Sequence, residues 1–127
     1  EVSISRDASA IVMDGLVSGP EGEHIVQFLL DTGASMTMVP RKVLEKTGSL
    51  GNVIQSSVPI HTASGSISVD IIRVDRIEVL GQTMKKMDIM AYDIFPDARV
   101  EGLLGLNFLK NFKTTIDFPG GKLMMEA

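Results

Sequence analysis

Apolar and polar residues alternate along most of this chain with the two-residue period of half-buried strands, and Gly, Pro, Asp and Ser interrupt the alternation at short intervals. "VSISRD" alternates from Val2, and "AIVMDGLV" follows it. "SGPEGE", Ser18 to Glu23, predicts a loop, and Ile25 to Leu30 the next strand. "MTMVP" is extended, after which "PRKVLEKTG" predicts a short helix with Pro40 as its first residue and Gly48 as its stop. Beyond Val53 the strand period resumes: Ile67, Val69 and Ile71 alternate, "TASG" predicts a hairpin tip, and "LGQT" predicts a second turn. "MKKMDIMAYDI" predicts a strand and "FPDAR" a loop. "VEGLLGLNFLKNF" joins a buried apolar run to helix-like spacing of Leu106, Leu109 and Lys110, and "KTTIDFPGGKLMMEA" predicts two strands joined across Pro119-Gly120-Gly121. The pattern predicts an all-β fold with one or two short helices, and a single domain over residues 1–127. There is no fixed-period repeat and no internal linker.

Composition adjusts this picture. A chain of 127 residues with 44% hydrophobic content supports a real core, but aromatic residues are only 5% and Trp is absent, so aliphatic side chains and eight methionines must fill it. A net charge of −4 with interspersed signs gives no electrostatic reason to expect nucleic acid. The absence of Cys excludes disulfides, a thiol nucleophile and thiolate metal sites. No apolar run reaches the roughly 18–20 residues of a membrane-spanning helix. Because the chain begins with Glu1, it reads as a mature or trimmed product, and membrane contact is expected only through an anchor upstream of that residue.

Few residues then remain as candidate chemistry. His24 and His61 lack a second His or carboxylate at ligand spacing, so both read as surface or hydrogen-bonded side chains, and neither a metal nor another cofactor is expected. Asp70, Arg73, Asp75, Arg76 and Glu78 read as a solvated strand face, and Lys85-Lys86 as solubilising charges on an edge strand. Asp31 is different: "FLLDTGAS" drives an apolar strand into a carboxylate and then a tight turn. An aspartate before such a turn ordinarily caps backbone N–H groups. A desolvated carboxylate is nevertheless costly unless it is bonded, paired or used, and a second apolar-Gly element, Leu103-Leu104-Gly105, occurs far downstream.

"LLDTGAS" followed distally by "LLGLNFL", with "HTASGS" between them, resembles the retropepsin-like aspartic proteases, in the single-domain form found in bacteria. The likeness extends over roughly residues 10 to 127. It implies a closed acid-protease barrel of the retropepsin type with one lobe per chain, and an aspartic endopeptidase that needs no metal. Since the chain carries one Asp-Thr-Gly, the resemblance implies a symmetric homodimer in which both subunits contribute Asp31. Two abutting carboxylates share one proton; one activates water and the other protonates the carbonyl of an extended peptide or protein substrate. Catalytic roles are thereby implied for Asp31, Thr32 and Gly33. Ala34, Thr62, Ala63, Ser64, Gly65 and Ser66 are implied as substrate-binding, the last five as a covering flap. Leu103, Leu104, Gly105 and Asn107 are implied as structural support. The resemblance also suggests a bacterial periplasmic or cell-envelope location.

The chain departs from the family pattern in places. Leu106 and Ser35 occupy the positions of an Arg and an Asp that pair in retroviral enzymes, so that polar link is missing. Ala34 lacks the hydroxyl that pepsins place beside the outer carboxylate oxygen, which predicts a working pH milder than pepsin's. The hairpin tip contains no Tyr; Tyr92, the only one, lies downstream. Val2 to Ser5 and Lys122 to Met125 are candidates for a dimer sheet. A catalytically silent peptide-binding or dimerisation module is the alternative, although such a module gains nothing from an intact Asp31. An Asp-nucleophile phosphohydrolase would want a second acidic residue where Gly33 stands.

Overall fold

The computed structural model describes residues 2–3, 10–62, 65–93 and 100–127. The first hairpin joins β2 (Val12–Gly19) to β3 (Gly22–Leu30), after a short β1 (Val2–Ser3). Its connection is only Pro20-Glu21, because Gly19 and Gly22 pair with each other. The loop predicted over Ser18–Glu23 is therefore mostly strand, and β3 begins three residues before Ile25. Helical structure follows as predicted, in α1 (Arg41–Lys46), although Pro40 is the cap preceding the helix rather than its first residue. At the other end Gly48, at φ 75°, lets its own N–H and that of Ser49 close back on Glu45 and Leu44. That is the left-handed glycine stop expected after a helix.

Three long strands build the middle of the chain: β5 (Val53–Thr62) pairs with β6 (Gly65–Val79), and β6 turns into β7 (Gln82–Ala91). The β6–β7 turn has Leu80 at φ 51° and Gly81 at φ 81°. Two central residues with positive φ form the two-residue turn that suits strand twist. Lys86, also at positive φ, faces Asp75 in a ladder whose register is the same on either side, and Lys85 and Lys86 are both exposed. β4 (Met38–Val39) and β8 (Gly102–Leu104) complete the sheet, and α2 (Leu106–Leu109) follows β8 directly. The chain ends in a hairpin of β9 (Lys113–Asp117) and β10 (Lys122–Glu126). The predicted "FPDAR" loop and most of "VSISRD" lie outside the described residues.

Six strands close on themselves in the order β2-β3-β8-β4-β7-β6, with β6 returning to β2 through Gly15↔Val79 to Ser18↔Arg76. β5 lies outside this ring as the arm of a hairpin. Inside, Val17, Val26, Phe28, Ile72, Ile77, Ile89 and Leu104 are fully buried, and the helices add Val43, Leu44 and Phe108. The fold is mostly β, a closed six-strand barrel. Val2 and Ser3 pair with Leu123 and Lys122 of the same chain, so both proposed dimer-sheet segments have within-chain partners in a sheet ordered β1-β10-β9.

Candidate active site

Apolar side chains carry β3 through the barrel to Leu30, where β8 runs parallel beside it with Leu29↔Leu103 and Leu30↔Leu104. Asp31 begins the turn at the end of this pairing. Its N–H donates to the Leu104 carbonyl at 3.1 Å, and its carbonyl accepts the Ala34 N–H at 3.2 Å. The Gly33 N–H donates to Asp31 Oδ1 at 2.8 Å. The carboxylate is thus half-buried and oriented by backbone, as the turn reading of "DTGA" expects, while Thr32 and Gly33 are exposed.

The loop rests on the β8–α2 corner. Leu106 and Asn107 N–H groups donate to the carbonyls of Ala34 and Ser35, at 2.8 and 3.2 Å. A Cβ on Gly105 would lie 2.6 to 2.9 Å from backbone atoms of Met36 and Ala34. Only glycine permits that approach without displacing the loop. Asn107 completes the clamp: its Oδ1 accepts both the N–H and the hydroxyl of Thr37, each at 2.9 Å, and its Nδ2 donates to the Asp88 carbonyl at 2.8 Å. The Thr37 hydroxyl in turn accepts the Gly105 N–H at 3.1 Å. Thr37 is fully buried. It did not stand out in the sequence, since one Thr in "MTMVP" carries no periodic signal; its position six residues after Asp31 is the only clue.

The structure therefore brings Asp31, Thr32, Gly33 and Ala34 together with Leu103, Leu104, Gly105 and Asn107. Thr62, Gly65 and Ser66 belong to a separate element, the β5–β6 hairpin, while Ala63 and Ser64 at its tip lie outside the described residues. Ser66 Oγ lies 3.0 Å from His61 Nδ1 across that hairpin, a hydrogen-bonded setting for this histidine.

The base of the hairpin holds a group the sequence reading treated as surface charge. Asp70 Oδ1 accepts the Ser57 N–H at 3.1 Å, and Oδ2 meets Arg41 Nη1 at 3.2 Å. Ser57 has φ 53° at the point where the β5 register slips between Gln55 and Val58. The Ser57 N–H, and then the Arg41 guanidinium, hold the Asp70 carboxyl below the usual aspartate range. Arg41 also donates its backbone N–H to Asp93 Oδ1 at 3.0 Å, and Tyr92 lines the same recess. Arg73 and Arg76 pair across strands with Asp88 and Glu23, at 2.8 and 3.2 Å. The Asp88 carboxylate raises the Arg73 guanidinium above its ordinary value. The charged face is solvated, yet it is cross-linked between strands.

Beside Thr32 runs a groove of about 310 Å³ lined by Leu30, Leu106, Leu109, Phe112, Thr114 and Ile116, among others. Among the described residues no three His, Asp or Glu side chains gather as a metal site, and no helix is long and apolar enough to cross a membrane.

The closed six-strand barrel is the fold of the retropepsin-like aspartic proteases. The sequence model of the gag-polyprotein putative aspartyl protease family matches residues 20–111, and the chain belongs to that family. Similar solved structures include a retropepsin-like aspartic protease from Rickettsia conorii, at 22% identity over 98% of this chain and 86% of that one, with a TM-score of 0.68. EIAV protease, solved in complex with the inhibitor HBY-793, is 19% identical over 93% of this chain and 95% of its own, with a TM-score of 0.64. The retroviral protease-like domain of Ddi1 from Leishmania major is 15% identical over 93% and 88%, with a TM-score of 0.58. No curated protein matches the chain. At these identities the structural likeness speaks for the fold, and family and fold together support a peptidase.

Proposed function

We propose that this chain is an aspartic endopeptidase, one domain over residues 1–127, that acts as a homodimer with Asp31 supplied by both subunits. The observation that carries the proposal is the Asp31 loop itself. Its carboxylate is half-buried, one oxygen accepts the Gly33 N–H, and its backbone is fixed to Leu104. This loop rests on the Gly105–Asn107 corner through bonds that a turn capping only itself would not require. In a symmetric pair, two such carboxylates share one proton because both cannot ionise cheaply at close range. The ionised member takes a proton from water, which attacks the peptide carbonyl, and the protonated member donates to the carbonyl oxygen.

Thr32 and Gly33 shape this loop. Substrate lies extended between it and the β5–β6 hairpin, with Ala34 below and Thr62 to Ser66 as the covering flap. Leu103, Leu104, Gly105 and Asn107 support the loop from behind. The test is cleavage of a peptide library from mildly acidic to neutral pH with Asp31→Asn alongside. The expected result is cleavage by the wild type and a loss of about 10²–10⁴-fold in the variant, at unchanged fold and oligomeric state. Cleavage that survives in Asp31→Asn would remove Asp31 from the mechanism.

A further inference from the structure

We infer that a recess on the outer face of the barrel, walled by Ser18, Glu23, Arg76 and Lys85, takes a carboxylate from an acidic and partly apolar polypeptide segment, and that this segment belongs to a protein substrate outside the stretch to be cleaved. The recess stands on its own geometry; assigning its occupant to a substrate rests on the peptidase reading above. Its volume is about 360 Å³, and Gly19 and Gly22 lie on its rim. Glu23, Ser18, Arg76 and Lys85 stand directly opposite one another on four neighbouring strands, β3, β2, β6 and β7. Residues opposed in this way share a face of the sheet. Val17 and Ile77, the chain neighbours of Ser18 and Arg76, are fully buried inside the barrel, so the row lies on its outside.

One end of the row is satisfied within the chain. Glu23 Oε2 accepts the Ser18 hydroxyl and Arg76 Nη2, each at 3.2 Å, and Arg76 Nε donates to Ser18 Oγ at 3.4 Å. The other end is not. Lys85 stands opposite Arg76, and like charges directly opposed on neighbouring strands repel. The three ion pairs among the described residues include neither Lys85 nor Lys86. Lys86 holds a φ of 52°, which a lysine adopts only at a cost, and both strands here expose two residues in succession, Asp75-Arg76 and Lys85-Lys86. A carboxylate lodged between Arg76 and Lys85 relieves their repulsion and accepts charge-assisted hydrogen bonds from both.

Two features select the occupant. Asp75 also lines the recess, and its charge repels a doubly charged phosphate more than a singly charged carboxylate. The next row on the same face is apolar at its β2–β3 end: Ile25, 59% exposed, stands opposite the half-buried Leu16. Glu78 continues that row on β6, where it accepts the Thr83 hydroxyl at 3.3 Å, so the apolar contact is confined to the β2–β3 side. With strands about 4.8 Å apart and same-face residues about 6.8 Å apart, Leu16 and Ile25 lie about 8–12 Å from Arg76. That is about two to four residues of extended chain. A segment with an acidic residue and an apolar one at that spacing fits both rows, whereas a free anion uses only the first. Glu23 precedes Asp31 by eight residues on and just beyond β3, which sets the recess about 20–25 Å from that carboxylate. The segment therefore lies well away from the residues that flank a cleaved bond.

The first test is fluorescence anisotropy with two short, uncleaved peptides that carry either Glu or Gln three positions from a Leu. The expected result is binding of the Glu peptide at least about tenfold tighter than the Gln peptide at low salt, with the preference lost in Lys85→Glu and screened away at high salt. Lys42→Glu makes the same change in net charge at an exposed position of α1 and should keep the preference. The second test uses two substrates with one cleaved sequence and the same Glu or Gln difference at least about eight residues away. Their KM values should differ about fivefold or more at equal kcat in the wild type, and should converge in Lys85→Glu. Equal binding of the two peptides by the wild type, or a preference that survives in Lys85→Glu, overturns the recess; cleavage of both substrates alongside that result leaves the peptidase reading standing. Inorganic phosphate that binds the recess more tightly than the Glu peptide overturns a carboxylate segment as its occupant. A preference that depends on Lys85, with neither substrate cleaved, supports the recess and counts against the peptidase instead.

Discussion

Asp31 is conspicuous in the sequence because an apolar strand runs into it; the residues that hold it in place are not. Thr37 and Asn107 are separated by 70 residues, yet Asn107 joins the Asp31 loop, α2 and β7 through three hydrogen bonds. The resemblance marked Asn107 as support, but its partner Thr37 could not be read from a strand pattern, since hydrogen-bond geometry has no sequence period. Asn107→Ala leaves the buried Thr37 N–H and hydroxyl to find new partners, and an unpaired buried donor costs about 1–3 kcal/mol. The expected loss is about 2–4 kcal/mol, seen as a lower urea midpoint at unchanged slope. Gly105→Ala acts through volume: its Cβ would meet Met36 and Ala34 backbone at 2.6 to 2.9 Å. Relief requires the Asp31 loop to move, so the expected outcome is a destabilisation of about 1–3 kcal/mol and a fall in peptide cleavage at least tenfold larger than the loss of folded protein explains. Activity and urea titration measured on one preparation check this.

At the scale of elements, the hairpins and both helices were legible because turn residues and apolar period agree there. Leu80-Gly81 forms the turn that "LGQT" predicted, and Gly48 stops α1 where expected. The first loop was overestimated: Gly and Pro over Ser18–Glu23 signal a turn but not its length, and cross-strand pairing ran through Gly19 and Gly22. The role of Asp70 was hidden for a related reason. Alternation of charge along β6 looks the same whether a carboxylate meets water or holds the neighbouring strand at its irregular residue. Asp70 ties Ser57 on β5 to Arg41 at the start of α1, so Asp70→Asn should raise hydrogen exchange over Val53–Thr62 while leaving the barrel strands protected. The pH dependence has a definite sign. A carboxyl whose pKa is lowered by folding stabilises above its unfolded value, and that contribution is lost as pH falls through the lowered folded value. Protection of β5 should accordingly be level from neutral pH down to about 4 and drop only below that, with Asp70→Asn showing no such drop.

Barrel closure belongs to the whole molecule, and no local pattern predicts it: β2 and β6 pair only because twist returns the sheet to its first strand. The family resemblance supplied that closure, through residues 29–35 and 103–109; the chain ends it offered for a dimer sheet also pair within the chain, Val2 and Ser3 with Leu123 and Lys122. Leu106, Ile116 and Phe118 are exposed apolar side chains on α2, on β9 and just after β9, and Leu106 and Ile116 line the groove beside Thr32. A site that needs two Asp31 side chains ties catalysis to assembly. Below the dissociation constant, the rate per chain should fall in proportion to concentration, because the dimer population falls with its square; above it, the rate per chain should level off. Leu106 touches neither carboxylate in this reading, so Leu106→Glu should shift the concentration of half-maximal rate upward by about tenfold or more, the effect of placing a charge in an apolar contact. The plateau should stay near the wild-type value once dimers form. Initial rates across a protein dilution series, with sedimentation velocity on the same samples, read both quantities. A plateau lowered at full dimer occupancy would mean that Leu106 shapes the Asp31 loop rather than the contact between copies. A rate per chain independent of concentration down to a fully monomeric sample would remove the dimer from the mechanism altogether.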